Sequence, residues 1–196
     1  MFVITIFSGD KMGKNWFSSD FHFGHDNILT YVNRPFKDVN EMNISIIENV
    51  NSLCRTRDTL YFLGDFCFES TSRGFSGEKF EEMLDPKLII IRGNHDGRNS
   101  TNSIIQDMTI KAGGRFIFLC HEPYPKLSLN LCGHVHDLWR VVKVGHKYIV
   151  NVGVDMWNFK PIDINDVLKA VQDYTNYFSG KASKAPDIND PQYRSE

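Results

Sequence analysis

Two apolar runs, Thr59-Leu60-Tyr61-Phe62-Leu63 and Lys87-Leu88-Ile89-Ile90-Ile91-Arg92, each end at a glycine followed by polar residues, Gly64-Asp65 and Gly93-Asn94-His95-Asp96. Runs of that length closed by turn residues read as buried strands. The same grammar recurs three times: Asn15-Trp16-Phe17-Ser18 leads into Ser19-Asp20-Phe21-His22-Phe23-Gly24-His25, residues 115–120 into His121, and residues 127–132 into Gly133-His134-Val135-His136. Between these runs lie helical stretches at 24–33, ending before Arg34-Pro35, and at 40–54, 78–84 and 166–178. Residues 138–152 read as a hairpin turning near Gly145, and 70–77 as a loop rich in Ser and Gly. Strands alternating with helices predict an α/β protein with covered sheets. In such folds ligands collect beyond the carboxyl ends of the strands, which is where every polar cluster falls. No linker divides the chain, so residues 1–180 are expected to form one domain. Residues 1–14 would be a leader able to add a strand, and 181–196 a polar tail.

The histidines give those strand ends chemistry. Six of the seven sit in the clusters, most of them with Asp or Asn beside them, and only His146, in the hairpin, lies outside. Imidazole, carboxylate and amide oxygen are the ligand types of divalent transition metals, and there are enough of them for two ions. Asp20 and His22 are two residues apart, as are His134 and His136. In an extended segment such pairs point the same way and can reach one ion. Asp65 is placed to bridge two cations, Asn94 offers a neutral oxygen and His121 another imidazole. With no cysteine in the clusters the donor set is mixed N/O, which suits Mn, Fe or Zn, and also Ni or Co. One histidine alone in any of these places is more often an ordinary core or surface residue; the ordered set carries the reading.

Composition narrows the field. A net charge of −2 argues against a broad basic surface for coating nucleic acid. No apolar run is long enough to span a membrane, and the apolar start at residues 1–7 lacks the basic flank and cleavage site of a signal peptide. Cys54, Cys67, Cys120 and Cys132 show no metal-binding spacing and read as buried thiols of a cytoplasmic protein.

The order Asp-x-His, Gly-Asp, Gly-Asn-His-Asp, His, Gly-His-x-His, spanning residues 20–136, resembles the calcineurin-like metallophosphoesterase superfamily. The stretches His22-Phe23-Gly24-His25-Asp26-Asn27-Ile28 with Arg34-Pro35-Phe36, and Asn151-Val152-Gly153-Val154-Asp155, resemble its small stand-alone members in bacteria and phages. The resemblance implies a sandwich of two mixed β-sheets flanked by helices in four layers. It implies one metal held by Asp20, His22 and His136 and another by Asn94, His121 and His134, with Asp65 bridging. It also implies His95 as the acid toward the leaving group, oriented by Asp96. The expected reaction is hydrolysis of a phosphate ester, most simply a diester, by hydroxide generated between two metal ions, manganese first among them. A nucleotide or nucleic-acid end is an expected substrate.

Two residues stay open between roles. Arg34 could reach substrate phosphate or pair with a carboxylate to fix its loop, and Asn27 carries the same ambiguity. His25 reads as a packing or supporting residue, and Arg98 as a solvated loop residue. Against a protein Ser/Thr phosphatase, Gly64-Asp65 is followed by Phe66-Cys67-Phe68-Glu69, and Gly93-Asn94-His95 by Asp96 rather than Glu. A phosphomonoesterase or a nuclease would use the same residues. A non-catalytic scaffold would be expected to have lost some of them.

Overall fold

The computed structural model describes residues 3–5, 13–68, 76–97 and 100–182. Most of the leader, the loop at 70–75, Arg98 and the tail from 183 lie outside them. Among the described residues, ten strands form two sheets. The larger has the order β1 (Val3–Thr5), β5 (Asp107–Ala112), β6 (Arg115–Cys120), β7 (Leu129–Cys132), β9 (Lys147–Asn151), β8 (Val141–Val144). The smaller has the order β10 (Ile162–Asp163), β2 (Asn15–Ser18), β3 (Thr59–Leu63), β4 (Lys87–Ile91). Within them β2, β3 and β4 run parallel, as do β6, β7 and β9. Each of these two sets presents its carboxyl ends together.

Side chains alternate across the strands, and this divides the core in two. Phe17, Tyr61, Leu63 and Ile91 from the small sheet meet Ile110, Ile117, Leu119 and Leu131 from the large one. That is the sandwich interior, an α/β fold of two mixed sheets. On the opposite face of the small sheet, Trp16, Leu60, Phe62 and Ile90 pack with α2 (Val39–Leu53) and α3 (Gly77–Glu82). Helix α2 buries Val39, Met42, Ile46, Ile47 and Val50, one stripe at helical spacing. Each such side chain contributes about 1.5–3 kcal/mol on burial. Asp38 caps this helix by accepting the Glu41 N–H at 2.9 Å. Helix α4 (Ile164–Phe178) starts from a capping box of Asp163 and Asp166 and buries Val167 and Ala170 in the inter-sheet core.

The structure extends the sequence reading in three places. The helix expected at 24–33 contracts to α1 (Ile28–Tyr31), because the residues before it form turns around the clusters. Strand β5 was not anticipated, although Met108, Ile110 and Ala112 alternate with polar residues. Nor was β10, two residues too short to signal themselves. The hairpin β8–β9 turns at Gly145, whose φ is +61°. Among the described residues no helix is long and apolar enough to cross a membrane.

Candidate metal centre

The polar clusters begin one or two residues past the last strand residue, and there the backbone changes hand. Asp20, His22, Asp65, His134 and His136 all have positive φ, between 46° and 70°. Left-handed backbone is costly for residues with a Cβ and gathers at functional sites. Asp20/His22 and His134/His136 are therefore delivered by left-handed turns, not by the extended segments that the i, i+2 spacing suggested. The turns are held by continued pairing: Asp20 N–H donates to Gly64 O, His22 N–H to Asp65 O and Phe23 N–H to Phe66 O, each at 3.0 Å. Two glycines allow the close approach. A Cβ at Gly93 would strike the Asp65 carboxylate, and one at Gly133 would strike the Ser19 hydroxyl and the Asp20 carboxylate.

Ligand-type atoms converge from both sheets. Asp20, His22 and His136 each bring one atom within 4.8 Å of the others, and so do Asp20, Asp65 and His121. Asp65 Oδ2 lies 3.6 Å from His22 Nε2 and 3.4 Å from His121 Nε2, between the two imidazoles. Asn94 Oδ1 is 2.8 Å from His121 Nε2 and 3.0 Å from His134 Nδ1. All seven residues expected as ligands thus meet at one end of the sandwich. His22 Nε2 is buried with no hydrogen-bond partner, a cost that a cation would offset. The donor set fits divalent metal ions.

Electrostatics separate these groups. Burial raises the Asp20 carboxyl, and the neighbouring His136 and His121 charges offset this only in part. Burial also acts to raise Asp65, but the hydrogen bond and charge of His121 and the charge of His22 outweigh it and bring the carboxyl to about 2. Burial drives His22 well below its ordinary value, so this imidazole is neutral and free to ligate. His121 moves the other way: burial lowers it, but the Asp65 hydrogen bond and the Asp20 and Asp65 charges lift it to about 9.

Partners around the ligands fix their orientation. His121 Nδ1–H donates to Leu63 O at 2.7 Å, leaving Nε2 to face Asp65 and Asn94. His136 Nδ1 lies 3.0 Å from Asp155 Oδ2, an imidazole–carboxylate pair of the kind that orients metal-bound histidines. Asp155 closes the stretch Asn151-Val152-Gly153-Val154-Asp155, and nothing local in that stretch signals this contact.

Asp155 also resolves Arg34, and against substrate binding. Arg34 is 4% exposed, and its Nε and Nη2 donate to the two Asp155 oxygens at 2.8 and 3.0 Å. Its remaining donors reach Phe21 O at 2.9 Å and Asp20 O at 2.7 Å. The guanidinium is consumed inside the protein, fixing the first cluster to the last. Arg34→Met would leave a buried carboxylate and two buried carbonyls short of partners, costing about 3–5 kcal/mol. Thermal unfolding should show a melting temperature lower by about 10 °C or more. An unchanged value would show that the pair holds nothing together.

Asp96 also departs from expectation. Its carboxylate accepts from Asp65 N (2.9 Å), Phe66 N (2.9 Å), Gly93 N (2.7 Å) and Ser100 Oγ (2.5 Å). It builds the loop that carries His95 and does not hold the imidazole directly. His95 is exposed, its N–H donates to Asp65 Oδ1 at 2.9 Å, and its ring lies 5.9 Å from that of His22. Asn27 is exposed at the start of α1, makes no side-chain cap bond and joins none of the expected ligands by a side-chain hydrogen bond. A cleft of about 410 Å³ opens beside Asn94 and His121, bordered by Arg92, Phe118, Tyr124 and Lys126.

Relatives share most of this chain. It is 34% identical over 171 residues to the uncharacterized protein MJ1445 of Methanocaldococcus jannaschii, covering 83% of this chain and 93% of that one. It is 30% identical over 184 residues to the Gene 66 protein of Mycobacterium phage L5, covering 74% of this chain and 88% of that protein. Among solved structures, the protein of unknown function AQ665 from Aquifex aeolicus shares the fold with a TM-score of 0.61 at 23% identity, covering 81% of this chain and 99% of that one. No family model matches the chain. The chain belongs to one family with MJ1445 and the Gene 66 protein, and the likeness to AQ665 shows the shared fold.

Proposed function

We propose that this protein is a dinuclear-metal-dependent phosphoesterase that prefers diesters, with manganese the first metal to try. The observation that supports it is the convergence of two three-ligand groups sharing Asp20, with the buried His22 Nε2 lacking a partner. Divalent ions bound there would supply an activated water and offset phosphoryl charge. Asp20, His22 and His136 would hold one ion, and Asn94, His121 and His134 the other, with Asp65 between. Hydrolysis joins the water oxygen to phosphorus and breaks the P–O bond to the leaving group. That oxygen needs a proton, and His95, exposed beside His22, is the group to supply it. A diester carries a substituent that stays on phosphorus, and the cleft beside Asn94 and His121 offers it room. Four buried thiols suit a reducing compartment, consistent with a cytoplasmic enzyme.

The test is hydrolysis of bis-p-nitrophenyl phosphate beside p-nitrophenyl phosphate, on chelator-stripped protein reloaded with Mn²⁺. Turnover restored by metal and faster on the diester is expected. Faster turnover of the monoester would replace the diester preference. No turnover of either, with two metals bound, would leave a non-catalytic scaffold as the better reading.

A further inference from the structure

A row of rings leads from the metal centre to the surface. The His136 and His22 rings stack at 5.2 Å and 28°, and the His25 ring lies 5.5 Å beyond His22. His25 in turn lies over Phe68 at 4.5 Å and 23°, while Tyr31 meets it edge-on at 6.1 Å and 73°. Exposure climbs along the row: 3% at His22, 46% at Phe68 and 70% at Tyr31. Single exposed aromatics are ordinary. Here two of them flank one imidazole that adjoins a metal ligand, and neither belongs to the core beneath.

The backbone explains why the rings face outward. Helix α1 is one turn long and buries only Ile28, so Tyr31 projects from its end. Phe68 N–H donates to Phe23 O at 2.8 Å, and Phe66, two residues earlier, is fully buried. His95 lies on the same side, 5.9 Å from His22 and near enough to His25 for their charges to interact. A phosphate ester with its phosphorus at the ligands and its leaving oxygen toward His95 would lay its leaving group along this row.

We propose that Tyr31, His25 and Phe68 form the leaving-group subsite and that it takes an alcohol carrying a planar aromatic ring. This rests on the phosphoesterase reading. Rings stack on rings, whereas a saturated group of the same size gains only contact area. The ring could sit close to phosphorus, as in an aryl or benzyl ester, or one sugar away, as in a nucleoside.

Binding separates these cases without turnover. On the full chain loaded with Mn²⁺, benzylphosphonate is compared with cyclohexylmethylphosphonate, and thymidine 5′-monophosphate with ribose 5-phosphate, by calorimetry. The aromatic member of at least one pair should bind about tenfold tighter. Preference in the first pair alone assigns an aryl-type leaving group, and in the second alone a nucleoside. The Tyr31→Ala/Phe68→Ala double variant should lose that preference with its metal content unchanged, and Phe68→Tyr should keep it. Equal binding within both pairs, or a preference that survives the double variant, overturns the proposal. If the ring preference is present but no ester is hydrolysed, the three residues stand as a ring-binding site and the phosphoesterase reading fails. Hydrolysis without ring preference gives the reverse.

Discussion

Asp65→Asn is expected to lower metal content at both positions and to cut turnover on the order of 10³-fold. Asp65 Oδ2 lies between His22 Nε2 and His121 Nε2, and its Oδ1 accepts the His95 N–H. An amide keeps the shape and one acceptor, so the fold should survive. What it removes is the negative charge between the two proposed cation positions, and the carboxyl, held near 2, carries that charge at any working pH. Several kcal/mol of transition-state stabilisation go with it, and about 4 kcal/mol corresponds to the stated factor. Elemental analysis of the purified variant beside its steady-state kinetics measures both effects. Two tightly held metals with undiminished turnover would remove Asp65 from the bridging position. In the metal-free protein the same variant should let the His121 imidazole fall from about 9, since the Asp65 hydrogen bond and charge are among the forces raising it.

His95→Ala should differ in keeping its metals while it loses rate. The side chain is exposed and contributes only its backbone N–H to the Asp65 carboxylate, a bond that alanine retains. Loss of a general acid costs about 10²–10⁴-fold where the leaving group needs a proton. The loss should be smallest for nitrophenolate, a stable anion, and largest for alkoxides. Equal losses across a series of leaving groups would exclude the acid role and leave His95 as a phosphate-binding group.

How far these roles could be read from the sequence depended on their range. The alternation of apolar runs with Gly-Asp and Gly-Asn-His is local, and it foretold β3, β4 and the neighbourhood of Asp65 and Asn94. The seven expected ligands are likewise named by short motifs, and the fold brings them together. Arg34 was undecided because its partner lies 121 residues away, and no local pattern shows which carboxylate will close on it. The same distance hides the role of Asp155, although its motif is visible in the sequence. Asp96 misled for another reason. The resemblance implied that it orients His95, but a turn sends neighbouring side chains apart, and this one caps the backbone of 65, 66 and 93 instead. The handedness of the ligand turns was invisible because Asp and His, unlike glycine, do not advertise positive φ.

That handedness sets foldability and function against each other. At positions 20, 22, 65, 134 and 136 the backbone would favour glycine, yet each carries a side chain proposed as a ligand. Each departure costs about 1–3 kcal/mol unless its surroundings enforce it. A sequence chosen for stability alone would therefore erode this site first, one comfortable glycine at a time, while the sandwich beneath it improved. Stabilising redesign of the protein should hold those five positions fixed and look for its gains in the strands and helices behind them.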